Sequence, residues 1–396
     1  MYGGIRQYPL RLWQSNLRPA RCGLSLLLAS GLAAAAETNL PGADWPVFRG
    51  NPALTGVAGG SLPDDPRMFW SFAMGAETKS SPVIADGKVF IGSSDSNVYA
   101  MALADGKRLW KTPLDGEVEA PPLFVDATVF VGSTRGTLHA LEAATGRPRW
   151  AFKTEDRILG SANWAPGPGG KGKRILVGSY DNRMYGVDAA TGAKAWTYET
   201  RNYINGAPAA DNHRTVFGGC DAILHLVATA DGTEQAAVAV GAYVAASAAL
   251  AGDRAFVGHY GGKLVCVDLV KRSIAWEYKG EEEGSAFFSS PAVGADRIVI
   301  GARDHRVHAV ARADGRRLWT FQTRGEVDSS PVICGDKVVV GSSDGRLYAV
   351  RLSDGGQVWS REMGAPIGGS PAVANGVIVV VAQDGRVCAW GRGEGK

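Results

Sequence analysis

The sequence predicts an all-β protein, an eight-bladed β-propeller of four-stranded antiparallel blades, closed by an N-terminal strand that joins the C-terminal blade. Three observations carry this expectation. A tryptophan closes a repeat at Trp70, Trp110, Trp150, Trp196, Trp276, Trp319 and Trp359, with Ala236 in the fifth place, at intervals of 40, 40, 46, 40, 40, 43 and 40 residues. Each repeat reads as four short period-2 strands separated by polar turns; the stretch 329–359, SSPVICGDKVVVGSSDGRLYAVRLSDGGQVW, is the clearest. Finally, the last repeat (Pro371 to Trp390) has only three strands, while Met68–Phe72 stands alone as a fourth strand at the opposite end of the repeats.

A single four-stranded meander cannot bury both faces, so copies must stack in a line or a ring. A line has no reason to start on an orphan last strand. A ring does, because pairing that strand with the three at the C-terminus removes two open edges.

The chain in order supports the same count. Residues 1–36 read as an export signal: Arg6, Arg11, Arg18 and Arg21 precede the apolar run Leu24–Ala36, and Ala34-Ala35-Ala36 suits a signal peptidase. A run of thirteen residues is too short to span a bilayer as a helix. Cys22 precedes that run, so a lipid anchor is not expected. Without the leader, 38 basic side chains face 39 acidic ones, a net charge of −1, which removes the case for a nucleic-acid partner. Residues 37–67 form a non-repetitive extension containing WPVFRGN, and residues 68–396 the propeller.

Within the repeats, Pro82, Pro122, Asn163 (shifted by an insertion), Pro208, Ala248, Pro291, Pro331 and Pro371 mark the start of the first strand. Gly92, Gly132, Gly178, Gly218, Gly258, Gly301 and Gly341 end the second strand, with Val381 in the eighth copy. The six additional residues of copy three fall in the hairpin tip PGPGGKGK, residues 166–173. Glu281-Glu282-Glu283 is expected to be a solvated charge run. Cys220, Cys266, Cys334 and Cys388 fall in different copies without CxxC spacing and read as small core residues.

Around each closing tryptophan the frame is Ala-x-Asp-x-x-Thr-Gly-x-x-x-Trp with substitutions, as in GVDAATGAKAW (186–196), ALEAATGRPRW (140–150) and AVRLSDGGQVW (349–359). This resembles the tryptophan-docking repeat of the pyrroloquinoline quinone (PQQ) propellers. With SSPV…GSSDGxLYA, the chain looks like a member of the PQQ-like repeat superfamily over residues 68–390. WPVFRGN is similar to a segment that precedes the propeller in secreted members. The resemblance implies blade docking by the seven tryptophans and, among BamB-type members, a scaffold role in outer-membrane protein assembly.

Its quinoprotein dehydrogenases imply an alternative, PQQ with calcium, held by an adjacent Cys-Cys pair and a Glu/Asn/Asp set beside a catalytic Asp. Here no cysteines are adjacent and the connections between blades are short, so no catalytic residue is carried over and no cofactor is expected.

Three histidines, His139, His225 and His308, occupy one repeat position, where Tyr99, Tyr185 and Tyr348 stand in other copies. Positions a quarter-turn apart on a third strand are more than ~14 Å from each other. Zinc needs each nitrogen at about 2 Å, so packing and hydrogen bonding are expected, with no metal.

The remaining candidate is the mouth where blade-to-blade connections meet the axis. The residue before each first strand should line it: Lys79, Glu119, Gly160, Asn205, Ala245, Phe288, Asp328 and Gly368, with Arg157, Trp164, Tyr203 and Tyr243 beside them. One cation, two acids, an amide and an aromatic make an asymmetric ring suited to a protein partner in the cell envelope or a small polar ligand. The sequence thus leads to the expectation of a secreted or periplasmic, monomeric, non-catalytic binding scaffold.

Overall fold

The structure is a computed structural model that describes residues 44–280 and 285–392. The expected leader and Glu281-Glu282-Glu283 lie outside the described residues.

The described residues form eight antiparallel four-stranded blades, one of them extended by a fifth, parallel strand, and each follows chain order from its first strand outward except where the ring closes. Blades 1 to 7 span 83–113, 123–153, 163–199, 209–239, 249–279, 292–322 and 332–362. Blade 8 takes three strands from 372–391 and its outermost strand, Arg67–Ala73, from the N-terminal side. That strand runs antiparallel to Arg386–Gly391, with Met68 opposite Trp390 and Phe72 opposite Val387. The first strands of blades 1 and 8 touch, as do those of most other neighbouring blades, so the ring is closed around an axis lined by first strands.

Glycine explains how blades dock. The Trp196 indole N–H donates to the Thr229 carbonyl of the next blade at 3.0 Å, and the ring lies flat on Gly232. A Cβ at Gly232 would stand 2.8 Å from the indole, and its φ of 78° already disfavours any other residue. The indole N–H of Trp70, Trp110, Trp150 and Trp319 makes the same bond at 2.8–3.1 Å to Leu103, Ala143, Ala189 and Leu352. Blade 8 has no turn between third and fourth strands, and there Trp359 donates instead to Pro63, in the segment leading to the closing strand. The Trp276 indole stacks on Gly315 without an acceptor for its N–H among the described residues.

The seam between blades 4 and 5 breaks this pattern on both sides. Ala236 replaces the indole, and Arg272, at φ 57°, replaces the glycine that an indole would require.

The extension that precedes the ring is, from Trp45 on, its innermost layer. First strands leave their axial N–H groups without a sheet partner, and residues 45–58 supply acceptors in sequence order. Ile84, Phe124, Ala210, Leu250, Val293 and Ile333, in blades 1, 2, 4, 5, 6 and 7, donate to the carbonyls of Trp45, Pro46, Pro52, Ala53, Thr55 and Gly56 at 2.7–3.0 Å. In blade 3 the Asn163 amide donates to Pro52 at 2.7 Å, while its oxygen accepts the Trp164 N–H at 2.8 Å. Val57–Ala58 then pairs in parallel with Val332–Cys334. Trp45, Val47 and Leu54 are buried against the blades, so the segment fills part of the axial channel.

Candidate functional site

One end of the ring, the mouth face, carries the connections between blades and the turns between second and third strands. The other, the back face, carries the remaining turns and the tryptophan docking. On the mouth face a recurrent clamp fixes the turns. An aspartate in the turn bonds the side chain four residues on: Asp95–Tyr99 at 2.6 Å, Asp181–Tyr185 at 2.6 Å, Asp221–His225 at 2.9 Å, Asp304–His308 at 2.9 Å and Asp344–Tyr348 at 2.7 Å.

Blade 2 has Arg135 in this place, and His139 turns instead to Asp115 at 3.0 Å. Tyrosine and histidine share the position because each reaches a carboxylate with one ring-borne polar atom. The other ring nitrogens of His225 and His308 meet Tyr198 and Tyr278 of the preceding blade at 2.9 Å. Each of the three histidines is therefore committed to its own aspartate. Among the described residues, no three His, Cys, Asp or Glu side chains form a group able to hold a metal.

The clamps also tune acidity. Burial opposes ionisation of Asp95, but hydrogen bonds from Tyr99, Lys111 and Ser93 outweigh it and hold the carboxyl at about 2. Asp115 is likewise held at about 2, where hydrogen bonds from Thr137, Ser133 and His139 overcome burial. Burial, then the Asp344 hydrogen bond, pushes Tyr348 up to about 12.

The mouth residues divide into two arcs. Along blades 3 to 6 runs an aromatic arc. The Arg157 guanidinium lies 4.7 Å from the Tyr180 ring, which stands 4.8 Å from Tyr203. Tyr260 meets Phe288 edge-on at 4.5 Å, and Arg303 covers that phenyl ring at 3.6 Å. Tyr203, Tyr243 and Tyr260 are 46, 56 and 47% exposed, so their rings face solvent on this end of the molecule.

The other arc, across blades 7, 8, 1 and 2, is polar. Arg303 grips Asp328 through two bonds of 3.0 and 2.8 Å and reaches Glu326 at 3.6 Å. Lys79 bridges to Glu119 of the next blade at 2.9 Å. Asn205 lies within the aromatic arc, in the connection that carries Tyr203, with its amide on Cys220 Sγ at 3.0 Å.

Two expected positions differ in the structure. Trp164 lies inside the first strand of blade 3, opposite Ile175, with Lys173 over its ring at 4.7 Å. Lys173 pairs with Asp126 in the first turn of blade 2, so Trp164 belongs to the back face. In blade 3 the first strand begins one residue earlier than a marker at Asn163 implies. Asn163 pairs with Leu176 as Leu123 pairs with Phe130, which puts Leu159 and not Gly160 at the mouth. The insertion lies wholly after the strand, around the short 3-10 turn Pro168–Gly170.

The reading from the repeats also passed over Tyr180, Tyr260 and Arg303. They occupy the residue before the clamp position, where Ser94 and Ser343 stand in other blades, and that contrast was their one signal.

The fold and the docking pattern define a class: a closed eight-bladed propeller whose blades are joined by tryptophan on glycine. The model of a PQQ-like family, described as outer membrane protein assembly factor BamB, matches residues 11–156, 94–226 and 220–396. The chain belongs to this PQQ-like β-propeller family. No curated protein matches the sequence.

Among solved structures it is similar to BamB from Moraxella catarrhalis, at 18% identity and TM-score 0.69 over 83% of this chain and all of that one. It is similar to the computationally designed protein Ika8, at 16% identity and TM-score 0.71 over 82% of this chain and all of that one. Quinohemoprotein alcohol dehydrogenase from Comamonas testosteroni gives 15% identity and TM-score 0.73 over 91% of this chain and 82% of that one. At these identities the likeness is one of fold.

Proposed function

We propose that the protein is a non-catalytic, exported scaffold that binds a protein partner in the cell envelope through the aromatic arc of its mouth face, in the manner of an outer-membrane assembly factor. The single observation that carries this reading is the set of three half-exposed tyrosines, Tyr203, Tyr243 and Tyr260, on consecutive connections and turns of one face. Large, rigid, amphipathic side chains of this kind anchor protein interfaces, with a charged rim setting orientation.

The residues present do not fit the alternative, PQQ with calcium. Of the mouth carboxylates, Asp328 and Glu326, leading into blade 7, are engaged by Arg303, and Glu119, leading into blade 2, by Lys79. A quinone and a hard cation need several oxygen ligands converging on one point, and these do not converge.

The test is capture from envelope extract by wild-type protein and by a Tyr203→Ala, Tyr243→Ala, Tyr260→Ala variant, alongside titration with PQQ and calcium. A component of outer-membrane protein assembly retained by wild type and lost by the folded triple variant supports the proposal. Stoichiometric PQQ binding with dye reduction, or a partner retained equally by both proteins, overturns it.

A further inference from the structure

Arg49 is the one charged residue drawn into the axial layer. Its side chain is 1% exposed, and its two terminal nitrogens donate to the Ser330 carbonyl at 3.1 Å and the Pro331 carbonyl at 2.5 Å. The Nε–H is buried with no partner among the described residues, and no neighbouring carboxylate acts on the guanidinium. A Cβ at Gly56 would stand 1.9 Å from the guanidinium, so the glycine there opens the space that the cation occupies. Burial alone pushes the group down to about 9, with no neighbouring charge to offset it.

Beside it runs a ring of serines. The hydroxyls of Ser247, Ser290, Ser330, Ser370 and Ser81 each accept a backbone N–H from the preceding blade at 2.8–3.0 Å. All five are buried, and none of their own protons has an acceptor among the described residues. The axis at this level is therefore rich in donors, poor in acceptors, and positively charged. Water would accept the hydroxyl protons and leave the charge uncompensated. A buried lone cation is costly, whereas an anion satisfies charge and donors together.

We infer that the axial channel holds a small inorganic anion, bound between the Arg49 guanidinium and the serine ring. The site is separate from the tyrosine arc and goes beyond the scaffold reading, which stands or falls on the mouth face alone.

The experiment uses the full chain. Crystals are soaked in sodium bromide for anomalous diffraction, and thermal unfolding is followed in bromide, phosphate and gluconate at matched ionic strength. The expected result is an anomalous peak within hydrogen-bond distance of Arg49 Nε and a midpoint that rises saturably with bromide or phosphate, but not with gluconate. At one hundred times the dissociation constant, the folding equilibrium should rise about 100-fold. Saturation by bromide alone marks a halide site, and saturation by phosphate alone an oxyanion site.

Arg49→Met should abolish the dependence. If that variant does not fold, Ser290→Ala with Ser370→Ala keeps the charge, removes two donors and should raise the half-saturating concentration about ten-fold or more. The inference is overturned by unfolding midpoints that are the same in all three salts; an axial peak in that case would be an adventitious ion only. A saturable midpoint that Arg49→Met retains also overturns it.

Discussion

Replacing Ala236 by tryptophan and Arg272 by glycine together should restore the missing dock between blades 4 and 5. Where the dock is complete, Trp196 is 7% exposed, lies on Gly232 and bonds Thr229 at 3.0 Å. Growing Ala236 to tryptophan buries on the order of 100 Å² more apolar surface, worth about 2–3 kcal/mol, with about 1 kcal/mol from the indole hydrogen bond.

Ala236→Trp alone should fail, because the Arg272 Cβ occupies the plane on which an indole rests. Across the intact docks a Cβ would approach the ring to 2.5–2.8 Å, and overpacking of this kind costs about 1–3 kcal/mol. Arg272→Gly alone trades the strain of φ 57° against the entropy of glycine and should lie within about 1 kcal/mol of wild type. The two changes should thus couple by about 2–3 kcal/mol in a double-mutant cycle. Denaturant unfolding gives the four stabilities, and hydrogen exchange over 234–239 localises the effect. A coupling below about 0.5 kcal/mol, or full stabilisation by Ala236→Trp alone, would refute the explanation of this seam.

Other outcomes follow from the same geometry. Gly355→Ala, at φ 74° and with Trp319 2.6 Å from the new Cβ, should cost about 2–3 kcal/mol. Gly87→Ala, at φ 67° in open space, should cost about 1 kcal/mol; equal losses would show that the indole does not matter. Asp95 and Asp115 have depressed folded-state values, so their stabilisation is present above the unfolded value near 4 and is lost as the pH falls towards 2. Asp95→Asn should flatten the acid limb of a stability profile, and an unchanged slope would count against the clamp. Deleting residues 45–58 removes the burial of Trp45, Val47 and Leu54, about 5–9 kcal/mol even if water reaches the freed N–H groups. Since whole domains are stable by about 5–15 kcal/mol, the deleted chain should lose cooperative unfolding near physiological temperature.

Much of this architecture was legible because it repeats. The tryptophan spacing and the stranded Met68–Phe72 segment specified eight blades and their closure, which the register of Met68 on Trp390 shows. What does not repeat was opaque. The axial layer 45–58 is held by backbone carbonyls, which leave no side-chain pattern, and only WPVFRGN marked it as distinct. The displaced start of blade 3 was hidden because its insertion follows the strand while Asn163 imitates the proline marker. The serine ring was half legible, in Ser-Ser-Pro at 80–82, 289–291 and 329–331, but its meaning required knowing that neighbouring first strands meet at the axis. At the mouth, Tyr203 and Tyr243 were visible from their place in the connections. Trp164 shows the limit, since proximity in sequence to the mouth did not put it on that face.

The proposed scaffold role requires partners to meet the mouth face and not the back. A photo-crosslinking amino acid placed at Tyr243, and separately at Lys107 in a back-face turn, tests it most directly in envelope preparations. A discrete crosslinked species is expected from position 243 and none from position 107. The same species from 107 with none from 243 would contradict it.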